Sequence, residues 1–278
     1  MVTVFYSERI DANAQSFSPS ASKPREVVSS WRQQFPSLVY RAPRPASVEE
    51  LCLAHSAHYV REVLAFRSPN GFGNCLPDVA ASLPYTSGAM IEAARAAVRE
   101  GVAVAPVSGF HHACYAEGGG YCTFNGLVVA ACVLHREGFA ERVGILDFDE
   151  HYGNGTMDIV RQLRLDWIEH YSGATDWNSP DRALAFLAAI PSIMQRFAEC
   201  DVLLYQAGAD PHVDDPLGGW LTTEQLRRRD RVVFDECRSR RLPVAWNLAG
   251  GYQTPLRRVL DIHDNTMTEC LAAFSSHQ

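Results

Sequence analysis

Asp147, Asp149 and His151 stand at i, i+2 and i+4 in the run Ile145-Leu-Asp-Phe-Asp-Glu-His. On extended backbone alternate side chains share one face, so this spacing aims two carboxylates and an imidazole the same way. An Asp and a His two residues apart can chelate one divalent ion. Asp210, in Gln206-Ala-Gly-Ala-Asp, can close the set from elsewhere in the chain. One nitrogen and two carboxylate oxygens suit Zn2+ with a coordination position left open for water or substrate. They are also hard enough to accept Fe2+ or Co2+. By itself an Asp-x-Asp-x-His run reads equally well as a solvated loop. Three other loops tip the balance: His111-His112, the Asp210 segment and Gly250-Gly-Tyr252. Adjacent histidines on extended backbone point apart and make a poor chelate, but in a curved loop beside a metal they suit general-base and electrostatic roles. Gly118-Gly-Gly120 lets backbone pass close to a ligand, and Tyr252 carries a hydroxyl on a strand end.

Those residues need a scaffold that brings four loops together. Val102-Ala-Val-Ala-Pro-Val, Arg142-Val-Gly-Ile-Leu-Asp-Phe, Asp201-Val-Leu-Leu-Tyr and Pro243-Val-Ala-Trp-Asn-Leu read as strands, and each ends just before one of the loops. Between them lie helical patterns: Leu127 to Arg136, stopped by Gly138; a stretch opened by the Thr222-Thr-Glu-Gln capping box and running to about Arg240; and a last helix from Thr254-Pro255. Strands alternating with helices predict an α/β domain with a mostly parallel central sheet and helices on both faces. In such sheets ligands sit outside the carboxyl ends of the strands. Residues 11–25 and the Pro- and Gly-rich residues 67–87 read as long loops.

Composition narrows the class. The chain has 278 residues, 47% hydrophobic and 21% charged, a globular balance that excludes disorder and coiled coil. Twenty-five basic against 32 acidic residues give a net charge of −7, which argues against nucleic acid as a partner. The 8 cysteines are scattered without a Cys-x-x-Cys pair, residues 1–9 lack a signal-peptide apolar region, and the longest apolar run, Leu127 to Leu134, is too short to span a membrane. The expectation is a reduced, cytoplasmic protein with residues 1–278 forming one domain. Arg227, Arg228 and Arg229, with Arg231, Arg238, Arg240 and Arg241, read as the solvated face of a helix. Cys114 and Cys122 read as small core residues near the site.

Taken together, Ser108-Gly-Phe-His-His-Ala, Gly119-Gly-Tyr-Cys, Ile145-Leu-Asp-Phe-Asp-Glu-His-Tyr-Gly-Asn-Gly-Thr, Gln206-Ala-Gly-Ala-Asp and Gly250-Gly-Tyr resemble the zinc-dependent histone deacetylase family, with its arginase-like fold. The resemblance spans roughly residues 45–270. Asp215-Pro-Leu-Gly-Gly-Trp and Arg229-Asp-Arg-Val-Val-Phe are similar to the class IV branch in particular. It implies that Asp149, His151 and Asp210 hold the metal, that His112 is the general base with His111 as its partner, and that Tyr252 hydrogen-bonds the acyl oxygen. It further implies that Asp147 orients His111 and helps hold a structural K+, that Asn154 pairs with His112, and that Gly120, Tyr121 and Leu217 border the substrate. Tyr152 replaces a second histidine found in many relatives. The segment from His170 to Asp201 is short, leaving Tyr171 and Trp177 as the candidates for a second channel wall.

The implied activity is removal of acetyl or longer acyl groups from lysine side chains of a protein or peptide. Deacetylation of small amines such as polyamines is the alternative, with Glu117, Glu150, Asp214 and Asp215 as candidate acidic groups for a cationic substrate. A catalytically silent acyl-lysine binder is the third reading. Nothing in the sequence sets the oligomeric state.

Overall fold

The computed structural model describes residues 1–274. Seven strands form one parallel sheet: β1 (Thr3–Phe5), β2 (Val39–Arg41), β3 (Val102–Ser108), β4 (Val143–Asp147), β5 (Ile168–Ser172), β6 (Val202–Gln206) and β7 (Val244–Ala249). Their spatial order is β2-β1-β3-β7-β6-β4-β5. The helices are α1 (Lys23–Gln34), α2 (Val48–Leu51), α3 (Ala57–Leu64), α4 (Pro77–Glu100), α5 (Gly126–Arg136), α6 (Asn154–Leu163), α7 (Ala183–Met194), α8 (Thr223–Arg240) and α9 (Arg257–Phe274).

Every residue of β4, β6 and β7 is buried, as a sheet covered on both faces requires. One group of helices, α4 to α6, packs together and reaches β1, β3 and β7 through α4. A second, α1 with α7 to α9, packs together and reaches β3 through α1. Trp246 of β7 is fully buried between Trp31 of α1 and Phe234 of α8, with ring centroids 5.6 and 5.9 Å away. Pro106 interrupts β3, where the register with β7 shifts between Ala105 and Ser108. A proline in an inner strand needs such an irregularity, because it has no N–H to donate. The chain beyond it leads into Gly109 and the histidine pair.

The four expected strands and the Thr222 capping box are present, the latter with Thr222 and Gln225 capping each other. The loop expected over 67–87 is wrong from Pro77 onward, since α4 begins there. Pro77 starts that helix without loss, because the first turn has no partner for its N–H. Pro84 is carried inside it by a face of Val79, Leu83, Met90 and Ile91 buried in the core. The loop expected over 11–25 likewise ends at Lys23, where α1 starts. Strands β1, β2 and β5 were not foreseen. The first two have only 3 residues each, too few to show a period.

Candidate active site

Strands β7, β6 and β4 are neighbours, with Asp147 level with Gln206 and Gln206 level with Asn247. The loops that leave their carboxyl ends therefore emerge side by side, carrying Asp149 and His151, Asp210, and Gly250 to Tyr252. His111 and His112 arrive from β3, on the other side of β7.

Ligand atoms of Asp149, His151 and Asp210 lie within 4.8 Å of one another. His151 Nδ1 is 3.2 Å from Asp149 Oδ1 and 3.2 Å from Asp210 Oδ2. Its Nε2 faces the Leu217 carbonyl at 3.2 Å, an acceptor that fixes the N–H there and leaves a lone pair on Nδ1. A lone pair and two carboxylates that converge repel one another unless a cation lies among them. A proton can take that place: the contacts with Asp149 and Asp210 push His151 up to about 11. Burial and the Asp149 charge likewise push Asp210 upward. Asp210 Oδ2 is buried and accepts no well-formed hydrogen bond among the described residues. The space around it is kept open by Gly250, where a Cβ would stand 2.0 Å from Asp210 Oδ2 and 2.9 Å from Asp149 Oδ2. Convergent donors, an orphaned carboxylate oxygen and a cleared space fit a divalent ion.

The two adjacent imidazoles are driven in opposite directions. His111 is 2% exposed, with Nδ1 2.7 Å from Asp147 Oδ2. Burial disfavours its charged form, but Asp147 and Asp149 outweigh burial and raise it to about 9. His112 Nδ1 faces Asn154 Oδ1 at 2.6 Å, a neutral acceptor that leaves Nε2 free. Burial, followed by the charge on His111, lowers it. Titratable pairs pushed apart in this way are the mark of an acid and a base assigned by environment. The rings lie 4.1 Å apart, and His112 is 5.8 Å from the His151 ring, all between centroids.

Gly120 sits against the face of His112. A Cβ there would be 2.4 Å from His112 Cδ2, and its φ of +52° already disfavours other residues. Tyr121 follows at φ +64°, a strained conformation of the kind found at ligand clamps. Its ring meets Tyr252 at 5.8 Å, Phe72 at 5.6 Å and Phe17 at 5.8 Å. Tyr252 is held by its backbone N–H, which donates to Asp215 Oδ2 at 2.8 Å, and burial with the Asp210 and Asp149 charges keeps its hydroxyl protonated. Besides Tyr252, the aromatic partners of Tyr121 are thus Phe17 and Phe72, neither of which the sequence singles out. Tyr171 and Trp177 bond to each other and pack with Phe148 and Phe186 instead. Leu217 is half-buried, and it meets His151 through its carbonyl.

Four further residues support the site. Gln206 donates to Asp147 Oδ1 at 3.1 Å and accepts from the Phe110 N–H, tying the carboxylate to the histidine loop. Asp215 accepts from Leu217 as well as Tyr252. Lys23 is fully buried and donates to the carbonyls of Ala249 and Gly250 at 2.7 and 3.1 Å. Arg229 is not on a solvated face at all: it has no exposed surface and reaches the loops of Asp149 and Asp210. A capping-box helix with seven arginines nearby gave no sign of which one turned inward.

The family model described as the histone deacetylase domain matches residues 18–164 and 174–267. Histone deacetylase-like amidohydrolase from Pseudomonas aeruginosa is 33% identical over 274 residues, covering 85% of this chain and 68% of that protein. Acetylpolyamine amidohydrolase 2 of the same organism is 53% identical over 49 residues, 18% of this chain and 14% of that one. The crystal structure of the HDA15 HD domain superposes with a TM-score of 0.79 at 21% identity, covering 99% of this chain and 89% of that one, and so shares the fold. The chain spans 61%, 64% and 58% of the length of three other curated relatives that it matches. No described helix is long and apolar enough to cross a membrane. With both matched segments spanning the strand ends that carry Asp149, His151, Asp210 and Tyr252, the chain belongs to the histone deacetylase family.

Proposed function

We propose that the protein is a metal-dependent amidohydrolase that removes acyl groups from the side-chain amine of lysine in a protein or peptide. One observation carries the reading: His112, with Nδ1 facing Asn154 Oδ1 and its charged form disfavoured by burial, stands beside a convergent Asp–His–Asp set able to hold a cation. A divalent ion held by Asp149, His151 and Asp210, Zn2+ by its donor set and Fe2+ or Co2+ as the alternatives, would supply Lewis acidity to an amide carbonyl and an attacking water. His112 Nε2 takes the water proton as its oxygen attacks the carbonyl carbon. The Tyr252 hydroxyl donates to the carbonyl oxygen as negative charge gathers there. The C–N bond then breaks, and the amine leaves with a proton from the histidine pair. Asn154 and Asp147 fix the tautomers and tilts of His112 and His111. Gly120 and Tyr121 form one wall for the substrate stem, and Leu217 belongs at its inner end. A K+ near Asp147 belongs to the same reading. Both Asp147 oxygens are already engaged by His111, Asp149 and Gln206, so backbone carbonyls would contribute most of its ligands.

The short, close match to an acetylpolyamine amidohydrolase favours a second reading, hydrolysis of small acetylated amines. Of the four acidic groups considered for a cationic substrate, Asp215 is buried in backbone contacts and Glu150 lies against Gly218. Glu117 and Asp214 remain exposed. This thinning of free carboxylates supports the lysine substrate.

The test is release of free amine from lysine peptides bearing acyl groups from acetyl to myristoyl, with acetylated polyamines alongside, using zinc-loaded protein. The expected result is turnover of acyl-lysine that Asp210→Asn reduces by about 10³-fold or more, given how strongly a metal-held centre depends on each ligand. Turnover of polyamines alone would replace this reading with the second. Zinc uptake without any turnover would leave a binding role.

The pH profile gives an independent check. A general base works deprotonated, and His112 lies below the ordinary imidazole value of 6.5. Activity, as kcat/KM, is therefore expected to be level through neutral pH and to fall only in more acidic solution. An acid limb centred above 6.5 would remove His112 from the role.

A further inference from the structure

We infer that Arg229 is a positioning residue that sets the distance between the two metal-ligand loops. The inference rests on the metal-centre reading of Asp149, His151 and Asp210. Arg229 lies on α8, outside all four site loops, with no surface exposed to solvent. A single nitrogen, Nη1, donates to the Phe148 carbonyl at 3.0 Å and the Gly208 carbonyl at 2.8 Å. Phe148 immediately precedes Asp149, and Gly208 stands two residues before Asp210. The ladder between β4 and β6 has ended by then, its last bond running from the Phe148 N–H to the Gln206 carbonyl at 3.1 Å. Beyond that bond the guanidinium spans the two chains, and the only other hydrogen bond across them up to Asp210 among the described residues, from the Glu150 N–H to Asp210 Oδ1 at 3.2 Å, falls on a ligand carboxylate itself.

The contact between the loops is close. A Cβ on Gly208 would stand 2.7 Å from both Asp149 Cα and Asp210 Oδ1, so a small separation of the loops would move one carboxylate relative to the other. Arg229 is itself anchored: Nε donates to Asp230 Oδ1 at 2.8 Å, and Asp230 also accepts from Tyr205 at 2.5 Å and Thr266 at 2.6 Å. This network stands on β6 and α9, so the span is fixed to elements that do not move with the loops.

Stability does not account for a guanidinium in this place. A buried ion pair gives back in desolvation much of what it gains in attraction, and Arg229 Nη2 has no hydrogen-bond partner among the described residues. What the side chain supplies that an apolar one cannot is a nitrogen with two N–H bonds, one for each carbonyl, held in a rigid plane that Nε ties to Asp230. Groups that hold metal ligands in place usually affect metal affinity by about 10–100-fold.

The experiment compares the wild type, R229K, R229M and Y205F as purified ion-free proteins. Zinc affinity is measured by competition with a chelator, the cobalt-loaded absorption spectrum reports ligand geometry, and melting temperature reports the fold. Both Arg229 variants are expected to bind zinc about 10–100-fold more weakly and to alter the cobalt bands. Y205F removes a bond to Asp230 from the same network but leaves both carbonyl contacts. It is expected to melt lower with zinc affinity and cobalt spectrum unchanged. The inference is overturned if the Arg229 variants match the wild type in both metal readouts, or if Y205F weakens zinc as much as they do. An R229K chain that fails to fold, although it keeps the charge, also overturns it, in favour of a purely structural role. Wild-type protein that takes up neither ion refutes the metal-centre reading, and this inference with it.

Discussion

Tyr252→Phe is expected to lower kcat by about 10²–10³-fold, or about 2.7–4 kcal/mol, the usual loss of one donor to a developing oxyanion. The substitution deletes one oxygen and keeps the ring, so the contact with Tyr121 survives, as does the backbone bond to Asp215. KM should change little, because the ground-state carbonyl carries less charge than the one the hydroxyl serves. Zinc content should equal that of the wild type, since Tyr252 lies outside the ligand set. Steady-state kinetics on the preferred acyl-lysine peptide, with metal analysis of the same sample, decide the matter. A rise in KM at unchanged kcat would make Tyr252 a binding group rather than a catalytic one.

Gly250→Ala should be as damaging by a different route. The added methyl would stand 2.0 Å from Asp210 Oδ2 and 2.5 Å from its carboxyl carbon, distances at which one of the groups must move. Asp210 is fully buried and Asp149 nearly so, which leaves them little room to yield. The expected outcome is zinc affinity lowered by about 10²-fold or more, beyond the range typical of residues outside the ligand set, and activity lost in proportion. The backbone N–H that donates to Asp149 Oδ2 is still present in the variant. Equilibrium zinc binding separates this cause from unfolding, since melting of the ion-free protein should shift far less than the affinity. Wild-type affinity in Gly250→Ala would mean that the cleared space beside Asp210 is not where the ion sits.

Much of this was legible in the sequence, for reasons that differ between parts. The inner strands were readable because a sheet covered on both faces demands continuous apolar runs such as Val143-Gly-Ile-Leu, each closed by a polar loop. The cluster of Asp149, His151 and Asp210 was readable because the residue types able to hold a metal ion are few, whereas packing accepts many. Helix α4 was misjudged because proline and glycine were weighed as breakers, while the alanine-rich stretch that follows dominates. Phe17 and Phe72 were missed because their service to Tyr121 depends on how two remote loops are laid over it, which no local spacing encodes. Lys23 and Arg229 were missed for a sharper reason. Both bind backbone carbonyls, and a carbonyl leaves no trace in residue identity, so their partners are invisible in the sequence even in principle. The segment 165–173, which contains all of β5, falls between the two stretches of the family match.

The spacing along the chain of the groups that surround the proposed metal centre also governs when that centre can exist. Gly250 lies 101 residues from Asp149, and Glu150, next to His151, lies 60 from Asp210. These groups meet only after β4, β6 and β7 have paired, all in parallel, with long crossovers between them. Such non-local pairing is slow to form, because loop closure must be met before contacts reward it. An ion that recognises the assembled set binds the native chain and not its fragments. Each tenfold excess of ion over its dissociation constant then adds about 1.4 kcal/mol to the stability of the whole sheet. Metal supply would thus influence how much folded protein persists, quite apart from how fast each folded molecule turns over.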